Sequence, residues 1–225
     1  MIPLLVLRPE RGAIATAKKA EALGLSPLIR SLFKVEACTW DAPDPTLFDA
    51  LLLTSANAVR YGGQAIRLYR NVPVFAVGAA TALAARGAGF ADIIEGAGNA
   101  ADAFDALRQA GHSRPLHLSG KDRTPYPSLP FAVTTCVVYE ASPTNVALPT
   151  GRYAALIHSA RAARHFAARC PAPAQVDIIA ISPPVARAAG PAWHSITTAV
   201  EPTDNAMLAL AAMLCDGATM PTGRV

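Results

Sequence analysis

A chain of 225 residues exceeds one minimal domain and falls short of three, because domains usually run about 100 to 200 residues. Hydrophobic residues make up 52% and charged ones 16%, which leaves ample apolar surface to offset chain ordering and excludes a disordered polypeptide. The formal charge of +4 arises from basic residues scattered along the sequence, not gathered into a stripe with interleaved aromatics, so a polyanionic small molecule is a better expected partner than nucleic acid.

Short apolar runs recur along the chain: Ile2 to Leu7, Ala50 to Leu53, Val72 to Val77, Leu116 to Leu118, Ala154 to Ile157, Asp177 to Ile181 and Ile196 to Val200. Each ends near a small or hydroxyl residue, and most lead into an alanine-rich stretch of helical length. That is the pattern of strand-loop-helix units in a parallel α/β sheet. None approaches the roughly 20 apolar residues that span a bilayer, so no membrane association is expected. The first run begins at once, without a basic leader or cleavage site, and a cytoplasmic protein is the expectation.

The intervening segments carry helix punctuation. Ser182 before Pro183 and Pro184 reads as a cap with proline in the first turn, and Asn99, Thr203 and Asp204 are placed to cap the helices that come after them. Gly24, Gly87, Gly111, Gly190 and Gly217 supply stops. From Asn99 to Ala110 the spacing puts Ala103, Phe104 and Leu107 on one helix face, which predicts packing on a sheet.

An internal repeat argues for two lobes. Leu53-Thr-Ser-Ala-Asn-Ala-Val-Arg60 parallels Ile157-His-Ser-Ala-Arg-Ala-Ala-Arg164 at an offset of 159 − 55 = 104, and the same offset carries Gly78 onto Ser182 and Asn99 onto Thr203. Two β-branched stretches, Phe33 to Thr39 and Val133 to Tyr139, lie beside proline-rich segments and are expected to pair as a two-stranded linker. The expected organisation is a discontinuous first domain (residues 1–34 plus 142–225), an inserted second domain (41–132) and linker strands at 35–40 and 133–141. A hinge over a cleft is implied by that arrangement.

In open α/β sheets ligands bind beyond the C-terminal strand ends, where helix N-termini present free N–H groups to anions. Thr54, Ser55, Thr81, Ser119, Ser159, Ser182 and Thr203 all fall there. Each has a plainer reading as a helix cap; their repetition at related positions in both halves points instead to a shared site for a ligand with several carboxylates. Tyr139 has two readings as well, a phenol reaching the cleft as donor or weak acid, or a half-buried strand tyrosine.

Other chemistries find little support. Cys38, Cys136, Cys170 and Cys215 form no CxxC pair, and His112, His117, His158, His165 and His194 form no HxH or HExxH spacing, so no metal site is expected. His158 beside Ser159 is no catalytic pair if both lie on a strand, where neighbours face opposite ways. Gly62-Gly63 and the Gly87 to Gly89 GxG lack the dinucleotide fingerprint.

Arg8-Pro9-Glu10, Gly24 with Pro27-Leu28, Asp49-Ala-Leu-Leu-Leu-Thr-Ser-Ala-Asn-Ala-Val59, Val77-Gly78-Ala-Ala-Thr81-Ala82, Ser119-Gly120 with Arg123, Val138-Tyr139-Glu140, Ala155-Leu-Ile-His-Ser159, Ile179-Ala-Ile-Ser182 and Glu201-Pro-Thr-Asp-Asn-Ala-Met-Leu208 follow one another along the chain. In their order and spacing the chain resembles the uroporphyrinogen-III synthase family nearly end to end. Leu7 stands where threonine often precedes the Arg-Pro, and Ala79 and Ala80 replace more polar turn residues.

The resemblance implies two similar lobes of parallel sheet flanked by helices, joined by a two-stranded β linker. It also implies an enzyme without cofactor or metal that cyclises hydroxymethylbilane to uroporphyrinogen III, losing water and inverting the last pyrrole through a spiro intermediate. By the same resemblance Tyr139 assists the leaving hydroxyl. Substrate contacts fall to Arg8, Thr54, Ser55, Asn57, Gly78, Thr81, Ser119, Gly120, Lys121, Arg123, Ser159, Ala160, Ser182 and Thr203. A monomer, with a transient contact to the upstream deaminase, is the expected form. The rival readings are a non-catalytic two-lobed module for a small polycarboxylate or tetrapyrrole, and a flavodoxin-like protein holding a phosphate cofactor.

Overall fold

The computed structural model describes residues 2–123 and 130–215. Gly217, expected to stop the last helix, lies outside the described residues. The chain divides into two units, Met1–Lys34 with Pro143–Val225, and Val35–Ser142.

The first unit is built on the strands β1 (Leu4–Val6), β2 (Pro27–Ile29), β9 (Tyr153–Ile157), β10 (Val176–Ala180) and β11 (Ser195–Thr198). They form a five-stranded parallel sheet in the order β11-β10-β9-β1-β2. Every residue of β1, β9 and β10 is buried, which is why β1 and β9 read as unbroken apolar runs, and β10 as one broken only by Asp177: in a parallel sheet both faces are covered. Helices α1 (Glu10–Ala22) and α7 (Asp204–Cys215) cover Leu4, Val6, Ala154, Leu156 and Ile179 with Ala13, Ala20, Met207, Leu208 and Ala211. Helices α5 (Ala160–Ala167) and α6 (Pro183–Ala189) pack on each other and on β9 and β10.

Asp177 is a charge inside β10, 1% exposed. Its carboxylate accepts from Arg152 Nε at 3.2 Å and from the Ser195 hydroxyl, partners a buried carboxylate requires. Across the edge of this unit Arg169 binds the Thr144 and Val146 carbonyls at 3.0 and 3.1 Å.

The second unit holds β3 (Phe33–Ala37), β4 (Ala50–Leu53), β5 (Val74–Ala76), β6 (Ile93–Glu95), β7 (Pro115–Gly120) and β8 (Thr134–Pro143), six strands in the order β3-β8-β7-β4-β5-β6. The two-residue period of a strand divides its core. Leu51 and Leu53 join one cluster with Tyr69, Leu116 and Val138, whereas Ala50 and Leu52 join another with Phe75, Phe104 and Leu107. The segment after Asn99 forms α4 (Ala100–Gln109) and buries Ala103, Phe104 and Leu107, the face that its spacing predicts. Helices α2 (Ala56–Tyr61) and α3 (Ala79–Gly87) complete the unit. The stretches read as a linker are neighbours, β3 beside β8, and β8 also pairs in parallel with β7, so both belong to this sheet.

Strand register carries the repeat into three dimensions. Leu51 opposes Val74 and Ala155 opposes Ile178, and both members of the second pair lie 104 residues beyond the first. At the next strand the pairs are Phe75 with Ile94 and Ile179 with Thr197, a slip of one residue. On the other side of the central strand β7 stands beside β4 as β1 stands beside β9. The first unit therefore repeats the second with its chain order permuted: the strand that ends the series in one unit begins the polypeptide in the other.

The three-residue strands β2 and β6 fall outside the apolar runs. Both sit at sheet edges with partly exposed residues, where burial imposes little pattern on sequence. Gly87 lies within the last turn of α3, and the left-handed backbone that ends this helix is at Gly89, with φ of 88°.

Candidate functional site

In the second unit β4 and β7 pair with each other as far as Leu53 and Leu118; Thr54 comes just after β4, and Ser119 is the next residue of β7. The Thr54 hydroxyl does not face outward: it lies 2.9 Å from Nε2 of His117, which is 2% exposed. Burial, with the Arg123 charge adding to it, lowers the His117 pKa to about 4, so the ring is neutral at pH 7 and the pair is a buried polar tether. Ser119 is 1% exposed and its hydroxyl donates to the Gly120 carbonyl at 3.1 Å. Thr81 is buried within α3. Thr81 and Ser119 are thus buried and Thr54 is partly buried.

Tyr139 is brought to the end of β7 by a bulge. Ser119 opposes Val137, but Gly120 opposes Tyr139, so Val138 is passed over and the tyrosine is re-aimed. Its ring lies against Gly120 so closely that a Cβ there would stand 2.6 Å from Cζ and 2.9 Å from the phenol oxygen. Glycine is required by this approach. Lys121 extends the contact, its N–H donating to the Tyr139 carbonyl at 3.0 Å and its Nζ reaching Glu140 at 3.0 Å. Tyr61, the last residue of α2, stands 6.3 Å from Tyr139 ring to ring. Gly120, Lys121 and Tyr139 are thus brought together, while Arg123 is exposed beyond them.

The strand-to-helix turns distinguish caps from free groups. Ser55 Oγ accepts from the Asn57 N–H at 3.1 Å, Ser159 Oγ from the Ala162 N–H at 3.1 Å and Thr203 Oγ1 from the Ala206 N–H at 3.2 Å. For these three the capping reading holds. Gly78 begins α3 without a side-chain cap, so first-turn N–H groups there lack a side-chain acceptor; Ser182 begins α6 uncapped too, but Pro183 and Pro184 carry no N–H and the Val185 N–H donates to the Ser182 carbonyl at 3.0 Å. Asn57 turns its side chain to Arg60 at 3.3 Å, and Ala160 is the first residue of α5.

One multiply bonded polar group of the first unit carries no sequence signal for chemistry beyond its place as a helix cap. Asp204, at the start of α7, accepts from Arg8 Nη1 at 2.8 and 2.9 Å, from the Thr16 hydroxyl at 2.8 Å and from His158 Nε2 at 2.8 Å. Burial alone would raise its pKa, but the His158 and Thr16 hydrogen bonds and the Arg8 guanidinium outweigh it and hold the carboxyl well below the usual range. His158 and Ser159 both lie past the end of β9 and serve different partners. The four members come from residues 8, 16, 158 and 204, and no spacing rule joins them.

Among the described residues no group of three His, Cys, Asp or Glu side chains is placed to hold a metal ion, and no helix is long and apolar enough to cross a membrane. All four cysteines are free thiols.

The family model described as uroporphyrinogen-III synthase HemD matches residues 14–209. The uroporphyrinogen-III synthetase of Helicobacter pylori superposes with a TM-score of 0.67 at 20% identity, covering 95% of this chain and 100% of that one. A mutant uroporphyrinogen III synthase of Thermus thermophilus superposes with a TM-score of 0.53 at 18% identity over 95% and 99%. No curated protein sequence matches. The solved structures share the two-sheet α/β fold.

Proposed function

The chain belongs to the uroporphyrinogen-III synthase family, cyclising lyases, and from that premise we propose that it converts hydroxymethylbilane to uroporphyrinogen III with Tyr139 as the group that assists loss of the hydroxyl. The family match over residues 14–209 carries the activity; the placement of Tyr139 over Gly120, at a bulge beside the strand ends, supports its role.

Departure of the hydroxyl as water requires a proton at that oxygen, and a phenol is a donor that can supply it through a hydrogen bond. The electron-rich pyrrole stabilises the resulting azafulvene cation. Attack from the substituted carbon of the last ring gives the spiro intermediate, whose fragmentation and reclosure invert that ring. Spontaneous closure without inversion competes with this route, so the protein acts by positioning: it must hold the acetate and propionate groups so that the substituted carbon is the one presented.

Anion contacts are assigned accordingly. The uncapped turn at Gly78 offers N–H groups to carboxylates, whereas at Ser182, where Pro183 and Pro184 carry no N–H, the hydroxyl that makes no capping bond is the donor. Ser55, Asn57, Ser159, Ala160 and Thr203 contribute through the turns they cap or begin. Arg8, Lys121 and Arg123 add positive charge. Thr54, Thr81 and Ser119 shape the strand ends, and Gly120 gives Tyr139 its room. We also assign the chain to the cytoplasm as a monomer that meets its upstream deaminase transiently.

The test is to generate hydroxymethylbilane in situ with the deaminase, add this protein, oxidise the products and separate the uroporphyrin isomers. Isomer III in excess is expected. Isomer I alone, from protein whose circular dichroism shows it folded, would replace this function with non-catalytic binding of a polycarboxylate or tetrapyrrole.

A further inference from the structure

Arg8 lies just past β1 at the strand end, and its described hydrogen bonds all run through Nη1, to Asp204 and to Thr16 Oγ1 at 3.2 Å. The network grades outward: Thr16 is fully buried, the side chains of His158 and Asp204 are 11% and 15% exposed, and Arg8 is 32% exposed. A carboxylate only accepts, so the His158 nitrogen facing Asp204 carries the proton. The other ring nitrogen, Nδ1, is buried without a hydrogen bond. Gly12 keeps the first turn of α1 open to the arginine, because a Cβ there would stand 2.4 Å from Nε. Three donors converge on one partly buried carboxylate, and the group at the exposed end is a planar cation with a second terminal nitrogen.

We propose that Asp204 is a positioning residue which, with Thr16 and His158, fixes the Arg8 guanidinium so that Nη2 is presented to a substrate carboxylate. A carboxylate buried only for packing would be dispensable, since apolar replacements are often as stable. Here its two bonds to Arg8, with the carboxylate itself held by Thr16 and His158, remove the rotamer freedom of a long side chain before substrate arrives, which lowers the cost of forming the next hydrogen bond. The opposite role, in which Asp204 merely neutralises Arg8, makes a contrary prediction: removing the negative charge would then strengthen anion binding.

This inference rests on the proposed function, in which Arg8 contacts substrate, and a double-mutant cycle separates the two. Kinetics with deaminase-generated hydroxymethylbilane would be measured for wild type, Asp204→Asn, Arg8→Ala and the double variant. Asp204→Asn is expected to raise KM roughly tenfold with kcat within about twofold, and to have no further effect in the Arg8→Ala background. Thr16→Val is expected to raise KM less and to lose its effect in the same background; it carries the comparison if Asp204→Asn fails to fold. Equal losses with and without Arg8 would reveal a general structural role and overturn the inference, as would a KM that falls in Asp204→Asn. Unchanged KM in Arg8→Ala, with isomer III still formed, would overturn the inference while leaving the activity standing. Absence of isomer III from folded wild type would overturn the proposed function and this inference with it.

Discussion

Lowering the pH from 7.5 to 5 protonates histidines of ordinary pKa, and the second unit holds one that resists. His117 is 2% exposed, its Nε2 lies 2.9 Å from the Thr54 hydroxyl, and burial lowers its pKa from 6.5 to about 4. The unfolded chain therefore binds a proton at pH 5 that the folded chain does not. Stability from a depressed histidine is complete above about pH 6.5 and is lost as the pH falls toward 4. Over the interval from 7.5 to 5 the two pKa values give a loss of about 2 kcal/mol. With a urea dependence of about 2 kcal/mol per molar, the midpoint for this unit should fall by about 1 M.

His165, in the first unit, is also lowered by burial and acts in the same direction. Asp204 acts only below the ordinary carboxylate range, since its pKa is depressed. The comparison that isolates His117 is therefore with His117→Gln, which keeps a polar group toward Thr54 and does not titrate. Urea unfolding monitored by circular dichroism at both pH values would measure it. If the variant loses as much stability as wild type over this interval, the buried, neutral histidine is not the cause and the reasoning fails.

Other outcomes are set by the same geometry. Gly120→Ala places a methyl 2.6 Å from Tyr139 Cζ, so the ring must move; turnover of hydroxymethylbilane should fall by about tenfold or more, displacement of an ångström being enough for that. Tyr139→Phe should lower kcat without moving the urea midpoint, and undiminished turnover would remove the phenol from the mechanism. Ser159→Ala should cost about 1 kcal/mol in urea unfolding because a cap is lost, whereas Ser182→Ala, which loses none, should stay within about 0.5 kcal/mol and raise KM instead.

What the sequence determined by itself was written in local chemistry. The buried strands β1, β4 and β9 are unbroken apolar runs, the caps at Ser55, Asn99, Ser159 and Thr203 precede their helices, and the offset of 104 reappears in strand register. These features depend on neighbours a few residues apart, or on a repeat of such neighbours, and so they survive in one dimension.

The rest depended on approach between distant segments. Whether a strand-end hydroxyl faces outward or is consumed was decided by a partner: His117 takes Thr54, a carbonyl takes Ser119, and helix packing buries Thr81. Tyr139 reaches Gly120 only because a bulge skips Val138, and the edge strands β2 and β6 exist through pairing more than through pattern. The Asp204 network joins the first and last helices through residues as far apart as 8 and 204. Hydrogen bonds of that kind are fixed by the crossing of chain segments in space, and only the tertiary structure decides them.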